Sequence, residues 1–190
     1  MKKLLIVGSL FYFFSISQSF AQEKFSKNCI KLGGGVGYNE VKGIAISGSM
    51  FFAGLQKTIY KERIRFNPNF GVGFFSSKVL YDAPRRHHTS FNMNTVLSGD
   101  ILKYKAFSLL INTGIFLNYR NGYIEHCICG GYNGGEKIND FSFGGNLGTG
   151  IRVNPKNTRL AFEFLPINLN VGTNNFTEVS MRIGVDYKLK

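Results

Sequence analysis

The sequence predicts an all-β protein, an eight-stranded antiparallel up-and-down transmembrane β-barrel. Three observations lead to this prediction. The chain begins with an export signal, eight later segments alternate apolar and polar residues, and the apolar face is too bulky to fit inside a small barrel. Alternation with a period of two places successive side chains on opposite faces of a strand. Each of these segments is therefore expected to be a strand with one apolar and one polar face.

The export signal occupies the first residues of the chain. Lys2 and Lys3 precede an apolar run at 4–16, and a small-x-small cleavage site ends at Ala21, a pattern typical of a cleaved secretory signal peptide. The run is too short for a membrane helix, which needs about 20 apolar residues. We predict a signal peptide over residues 1–21 and an outer-membrane barrel domain over residues 22–190.

The mature chain is basic. With Lys2 and Lys3 removed, 21 of the 23 Lys and Arg residues remain against 11 Asp and Glu residues. A basic surface favours anionic partners. Because the protein is exported, we expect lipid headgroups and lipopolysaccharide phosphates as partners, and no nucleic acid.

The first three predicted strands cover 30–39, 43–57 and 63–76. In the first, Gly33, Gly35 and Gly37 share the polar face. The second has the weakest pattern: its phase blurs after residue 54, and its predicted apolar face holds Ile44, Ile46, Met50 and Phe52. In the third, the apolar face holds Ile64, Phe66, Phe70, Val72 and Phe74.

The middle strands are predicted at 90–104, 106–120 and 141–153. The fifth and sixth alternate clearly, with Gly, Ser, Asn and Arg opposite their apolar residues. The small polar residues suit the narrow interior of a barrel.

The last two strands are predicted at 159–171 and 178–189. The seventh changes phase between Phe164 and Leu165, with Leu165 and Ile167 continuing the apolar face, which predicts a β-bulge beside Pro166. The eighth alternates without interruption and is expected to close the barrel by pairing with the first strand near 32–38. Its apolar face holds Val179, Met181, Ile183, Val185, Tyr187 and Leu189.

The connections differ in length. Tight turns are predicted near 60–62, 104–106 and 154–157, whereas two of the interleaved connections, 77–89 and 121–140, are long; those near 39–43 and 172–177 are shorter. Short turns at one end and longer loops at the other are typical of an outer-membrane barrel with its turns in the periplasm.

The apolar face is expected to contact lipid. It carries about 40 large residues, whereas the interior of an eight-stranded barrel holds little more than a filling of side chains. A closed barrel is also the β-structure that a bilayer accepts, because closure leaves no unpaired edge. A soluble lipocalin-like ligand-binding barrel is the alternative. Two aromatic bands support the membrane interpretation. They comprise Tyr38, Phe74, Phe91, Tyr119 and Phe141 near the loops, and Tyr60, Phe66, Tyr104, Phe107 and Tyr187 near the turns.

The pattern resembles the small outer-membrane barrels of the OmpA/OmpX type, in the variety common in Bacteroidetes-like bacteria. The segments that carry the resemblance are NPNFGVGFF (67–75), DILKYK (100–105), FGGNLGTGI (143–151) and RIGVDY (182–187). Two departures are the absence of tryptophan and the terminal Lys190, where such barrels usually end on an aromatic residue. The resemblance implies a monomer in the outer membrane, placed there by the outer-membrane insertion machinery.

The polar face carries charged residues that we expect to form a network in the lumen, because an isolated buried charge costs several kcal/mol. If the last hairpin turns near residue 173, Glu163 and Arg182 come roughly opposite each other. An alternative is a narrow, anion-preferring pore, since basic residues outnumber acidic ones on this face. The predicted network comprises Arg63, Arg65, Asp100, Arg120, Arg152, Arg159, Glu163, Arg182 and Asp186, and the same face also carries Lys31, Glu178 and Lys188.

Two constellations raise the question of chemistry. His87, His88, His126, Cys127 and Cys129 belong to ligand types that bind zinc or copper, but their spacing fits no standard motif. The chain has three cysteines, Cys29, Cys127 and Cys129. An odd number excludes a framework in which every cysteine is paired within the chain. We therefore predict no metal and no cofactor.

The segment 88–92 resembles the His-x-Ser-Asn motif of outer-membrane lipid A deacylase barrels, although Phe91 separates Ser90 from Asn92. A serine nucleophile needs a base within hydrogen-bond reach and a group that orients the base. A lipid A-modifying enzyme is thus an alternative. Our main expectation is a structural or surface-interaction role without catalysis.

Overall fold

The computed structural model describes residues 28–41, 44–60, 63–77, 86–128, 132–155 and 158–189. The predicted signal peptide, 1–21, lies outside these residues. The strands are β1 (Asn28–Val41), β2 (Ile44–Tyr60), β3 (Ile64–Ser77), β4 (Arg86–Tyr104), β5 (Phe107–Ile128), β6 (Tyr132–Val153), β7 (Leu160–Gly172) and β8 (Thr177–Lys188). The described residues contain no helix that is long and apolar enough to cross a membrane.

The eight strands form one closed antiparallel barrel in which each strand pairs with its neighbours in sequence. β8 returns to β1, with Leu32 opposite Val185 and Val36 opposite Met181. The predicted fold and the predicted closing pair are therefore confirmed. Closure matters because it leaves no edge strand with unpaired N–H and C=O groups.

The large apolar side chains point outward, as predicted. On β8, Met181 and Ile183 are exposed, whereas Arg182 and Asp186 are buried in the lumen. On β3, Phe70 is exposed in the same way. The alternation therefore places an apolar surface around the outside and polar groups within.

The predicted phase of β2 is wrong. Ile46 and Met50 are buried in the lumen rather than on the outer face. Register decides the phase: Ser49 pairs with Phe74, and residues directly opposite in a sheet share a face. Ser49 must therefore point outward with Phe74, and Met50 inward.

The long connection predicted at 121–140 is also wrong. β5 continues to Ile128 and β6 starts at Tyr132, in a register that is unbroken from Tyr119–Phe141 to Ile128–Tyr132. The sequences of these two segments lack the regular alternation of apolar and polar residues from which the other strands are predicted. β4 likewise starts at Arg86, before the predicted residue 90. Residues 78–85 lie outside the described part of the chain.

The bulge predicted beside Pro166 is confirmed. The register of β7 shifts against β8 between Leu165 and Asn168, and against β6 between Thr149 and Ile151. The exposed pair at the bulge is Pro166 and Ile167, whereas Leu165 is buried in the lumen. The prediction that Leu165 lies on the outer face is therefore wrong, because the change of phase occurs one residue later, at Pro166.

Candidate functional site

A cluster of four charged side chains lies in the lumen near the turn end of the barrel. Arg152 Nη1 lies 2.6 Å from Glu163 Oε1 and 2.6 Å from Asp186 Oδ2. Lys31 Nζ forms an ion pair with Glu163 and lies 3.9 Å from Asp186 Oδ1. Gln56 Nε2 donates to Asp186 Oδ2 at 3.2 Å. Two cations and two carboxylates thus balance each other where water is largely excluded.

Strand register brings these four side chains together. Lys31 lies opposite Asp186 on the β1–β8 pair, and Arg152 lies opposite Glu163 on the β6–β7 pair. β6, β7, β8 and β1 are consecutive around the wall, and all four residues occupy inward positions. We name Lys31, Arg152, Glu163 and Asp186 the turn-end cluster.

The predicted pairing of Glu163 with Arg182 is wrong. Glu163 lies opposite Gly184, and Arg182 lies opposite Leu165. The β7–β8 turn lies further along the chain than residue 173, with Val171 opposite Thr177, and the bulge beside Pro166 reverses only one residue of that shift. Arg182 Nη2 instead reaches Glu178 Oε1 at 3.1 Å.

Arg65 and Asp100 form a second ion pair. Their contact is bidentate: Arg65 Nη2 lies 2.6 Å from Asp100 Oδ1, and Nη1 lies 3.0 Å from Oδ2. This fork-to-fork geometry is the strongest arrangement of an arginine with a carboxylate. Both side chains are almost fully buried.

Arg120 anchors the loop end of the lumen. Its Nη2 lies 3.3 Å from Asp140 Oδ2, and its Nη1 donates to Asn39 Oδ1 at 3.2 Å and to the Glu40 carbonyl at 2.8 Å. Its guanidinium also lies 5.1 Å from the centre of the Phe176 ring. Arg120 thus joins β1, β5 and β6 with a ring from the β7–β8 turn.

Two predicted members of the network lie elsewhere. Arg159 is exposed, and its Nη1 donates to Tyr187 Oη at 3.2 Å on the outer surface. Arg63 is half-buried at the start of β3 and forms no ion pair with the described carboxylates, although its carbonyl accepts from the Asp100 N–H at 2.9 Å. Both residues lie beside turns, where strand alternation no longer decides which way a side chain points.

An asparagine layer fills the middle of the lumen, and sequence analysis did not single it out. Asn118 Nδ2 donates to Asn92 Oδ1 at 2.7 Å, and Asn146 Nδ2 donates to Asn168 Oδ1 at 3.1 Å. The signal was present in the sequence, because these residues alternate with outward apolar residues. The buried asparagines are Asn39, Asn67, Asn92, Asn94, Asn112, Asn118, Asn146, Asn168 and Asn170.

An apolar cluster also lies in the lumen, toward the loops. Ile46, Met50, Phe75, Ile124 and Ile138 are each at most 5% exposed and contact one another. The sequence pattern predicts a lumen rich in Gly, Ser, Asn and charged residues, and this apolar cluster departs from that prediction. Side chains therefore occupy the interior at the loop end as well as at the turn end.

His88, Ser90 and Asn92 all face the lumen but do not form a catalytic arrangement. The His88 ring stacks on Phe75, with ring centres 4.9 Å apart, and neither of its nitrogens has a hydrogen-bond partner. Ser90 Oγ instead accepts from Asn118 Nδ2 at 2.5 Å. A serine without a bonded base is not activated as a nucleophile.

The described residues contain no group of three or more His, Cys, Asp or Glu side chains that could hold a metal ion. Among the residues discussed as ligands, the side chains of His126, Cys127 and Cys129 lie outside the description, whereas His87 is exposed. Cys29 is buried and its thiol is free.

Comparison with solved structures finds outer-membrane barrels. Neisserial surface protein A matches with a TM-score of 0.65 and 13% identity, over 88% of this chain and all of that one. Ail, the attachment invasion locus protein of Yersinia pestis, solved with the heparin analogue sucrose octasulfate, matches with a TM-score of 0.55 and 11% identity, over 87% and 99% of the two chains. A major outer membrane protein from Thermus thermophilus matches with a TM-score of 0.52 and 12% identity, over 85% of this chain and 99% of that one.

No protein-family model and no curated protein matches the sequence. The similarity to solved structures therefore shows the fold: this chain is built like the small eight-stranded barrels of outer membranes.

Proposed function

We propose that the protein is an exported outer-membrane β-barrel with a structural or surface-interaction role and no catalysis. A single observation carries the proposal. The closed sheet turns most of its large apolar side chains outward, on every strand, while its charges pair inside. An apolar exterior of this extent is stable in lipid and would aggregate in water.

The aromatic bands support the membrane position. Phe91 lies opposite Tyr119, with ring centres 6.3 Å apart, and Tyr119 lies opposite Phe141, so three exposed rings adjoin at the loop end. Tyr104 and Phe107 face each other at the turn end. Aromatic rings at two levels are typical of the two lipid–water interfaces.

The paired lumen charges favour a structural role over the anion-preferring pore. Lys31, Arg65, Arg120, Arg152 and Arg182 each form an ion pair with a carboxylate. A cation that is already neutralised attracts a passing anion weakly. The buried network instead fixes the register and holds the wall closed.

The surface-interaction role rests on the β5–β6 hairpin. From the Tyr119–Phe141 pair to the Ile128–Tyr132 pair, nine residues of each strand continue past the aromatic band. At about 3.3 Å per residue, this length is roughly 30 Å along the strands, and the last part of it, about 13 Å beyond the Arg86–Ile124 pair, extends past the end of β4. With the turns in the periplasm, it stands outside the cell, where we expect lipopolysaccharide and external molecules to contact it.

Cysteine labelling tests the position and the orientation. In a background with Cys29, Cys127 and Cys129 replaced by serine, Asn139→Cys on the hairpin should react with a membrane-impermeant maleimide in whole cells. Thr158→Cys at the turn end should react only after lysis. Labelling of both in whole cells, or of neither before lysis, contradicts the proposal.

Lipid A analysis tests the absence of catalysis. Cells that make the His88→Ala variant should give the same lipid A mass spectrum as cells with the unmodified protein. A lost or added acyl chain that depends on His88 would show that the barrel is an enzyme.

A further inference from the structure

The turn end of the barrel is strongly basic. Segments 57–63, 103–106, 154–159 and 188–190 contain nine Lys or Arg residues and one acidic residue, Glu62. At the loop end, segments 40–43, 78–86, 121–140 and 173–178 contain five basic and six acidic residues. The positive charge of the chain is thus concentrated at one end.

Three of the turn-end cations are exposed on the outer surface beside the aromatic band. Lys57 lies opposite Phe66 on the β2–β3 pair, Lys105 Nζ lies 5.3 Å from the centre of the Tyr104 ring, and Arg159 Nη1 bonds Tyr187 Oη at 3.2 Å. They occupy three different hairpins around the barrel. We name Lys57, Lys105 and Arg159 the basic belt.

Three carboxylates of the strands near the turn end are engaged inside the barrel and do not neutralise the basic belt. Asp100, Glu163 and Asp186 face the lumen, where Arg65, Lys31 and Arg152 neutralise them. None of the three belt residues forms an ion pair with a carboxylate of the described chain. Their charges are therefore available to a partner outside the barrel wall.

The depth of the basic belt in the membrane, beside the aromatic band, indicates which partner it contacts. Aromatic rings of a membrane barrel lie at the depth of the lipid headgroups, and cations beside them reach the headgroup phosphates. We propose that the basic belt binds the phosphates of anionic phospholipids in the periplasmic leaflet. This inference rests on the proposed function, because it requires the turn end to lie in that leaflet.

Native mass spectrometry tests the proposal. The protein is reconstituted in nanodiscs with equal amounts of phosphatidylglycerol and phosphatidylcholine of the same acyl chains, and the lipids retained after release are counted. The unmodified protein should retain phosphatidylglycerol preferentially. The triple variant Lys57→Gln, Lys105→Gln, Arg159→Gln should lose the preference, by about fivefold for each cation.

A second triple variant is the matched control. Lys42→Gln, Lys78→Gln and Lys137→Gln remove the same charge from the loop-end segments and should leave the preference unchanged. High salt should weaken the preference of the unmodified protein, since exposed charges are screened. Free inorganic phosphate should compete only weakly, because it lacks acyl chains that hold it at the belt.

Three results would overturn the proposal. The belt variant could prefer phosphatidylglycerol as strongly as the unmodified protein does, or both triple variants could lose this preference equally. The belt could also bind purified peptidoglycan while the protein shows no lipid preference. Insertion is scored separately by heat-modifiable mobility in pure phosphatidylcholine. Inserted protein without lipid preference refutes the belt alone, whereas failure to insert refutes the proposed function.

Discussion

Glu163 holds two cations in the lumen, Arg152 at 2.6 Å and Lys31 in a direct ion pair. In Glu163→Gln, Asp186 would be the one carboxylate left in the turn-end cluster for both cations. The cluster would then carry one uncompensated buried positive charge, which destabilises the folded state. We expect the free energy of unfolding, measured in urea with lipid vesicles, to fall by ~3–5 kcal/mol.

Asp140→Asn is the control for Glu163→Gln. It also removes the carboxylate of an arginine ion pair, but the Asp140 side chain is 39% exposed. A loss of at most ~1 kcal/mol is expected, because solvent screens the Asp140 carboxylate and the buried Arg120 keeps its hydrogen bonds to Asn39 and to the Glu40 carbonyl. Equal effects of the two variants would show that burial of the turn-end cluster does not matter for stability.

Gly35 illustrates a close approach that only glycine permits. A Cβ at this position would collide with the carbonyl oxygen of Met181 on the neighbouring strand. Gly35→Ala should therefore lower the free energy of unfolding by ~1–3 kcal/mol. Gly145→Ala is the control, since a Cβ there lies no closer than 4.0 Å to another atom and should change stability by less than ~0.5 kcal/mol. Equal tolerance at both positions would contradict this packing.

At the level of single residues, the direction of a side chain is predictable where alternation is regular. Arg152, Arg182 and Asp186 lie in the lumen as predicted, because each belongs to a stretch of regular period-two alternation. The predictions for Arg159 and Leu165 are wrong, because these residues lie at a turn and at a bulge. Neither site has a local pattern that fixes the direction of the side chain, since the register with neighbouring strands decides it.

The β5–β6 hairpin yields a prediction for a whole element. Joining Glu125 to Gly135 through Asn-Gly removes only the tip, and these residues lie directly opposite each other, as a two-residue turn requires. Joining Asn121 to Asn139 in the same way also removes Ile124 and Ile138 from the apolar lumen cluster.

Both shortened barrels should fold and show heat-modifiable mobility. The tip deletion should leave the free energy of unfolding unchanged, whereas the longer deletion should lower it by roughly 3 to 6 kcal/mol, the value of two buried isoleucines. The same loss in both proteins would contradict a stabilising role for the apolar cluster. Failure of the shorter one to fold would show that the tip belongs to the core.

For whole elements, the sequence analysis located all eight strands but not their full extent. β2 was given the wrong phase because Ile46 and Met50 are apolar yet face the lumen, so hydrophobicity alone misled the assignment. The ends of β5 and β6 are missing from the prediction because their sequences lack a regular alternation of apolar and polar residues. Cross-strand register settles both cases, and a single sequence does not reveal it.

At the scale of the molecule, the filled lumen predicts that the barrel does not conduct. Ion pairs occupy the turn end, asparagines the middle and apolar side chains the loop end. Purified protein in planar bilayers should give no discrete current steps. A general porin, measured in the same membranes as the control, should give them. Reproducible anion-selective steps would favour the pore instead.

The barrel as a whole was the most predictable feature. The outward direction of its apolar face follows from the mismatch between about 40 large apolar residues and the small interior of eight strands. Closure follows because a bilayer accepts a sheet only without unpaired edges. The arrangement within the lumen was less predictable, since partners such as Lys31 and Glu163 lie 132 residues apart.

Cell fractionation combined with heat-modifiable gel mobility tests the central claim, an outer-membrane barrel, most directly. The protein should be found in the outer-membrane fraction, require detergent for release, and migrate differently in SDS gels before and after boiling. Recovery from the periplasm without detergent, with the same mobility in both samples, would contradict the claim and indicate a soluble lipocalin-like barrel.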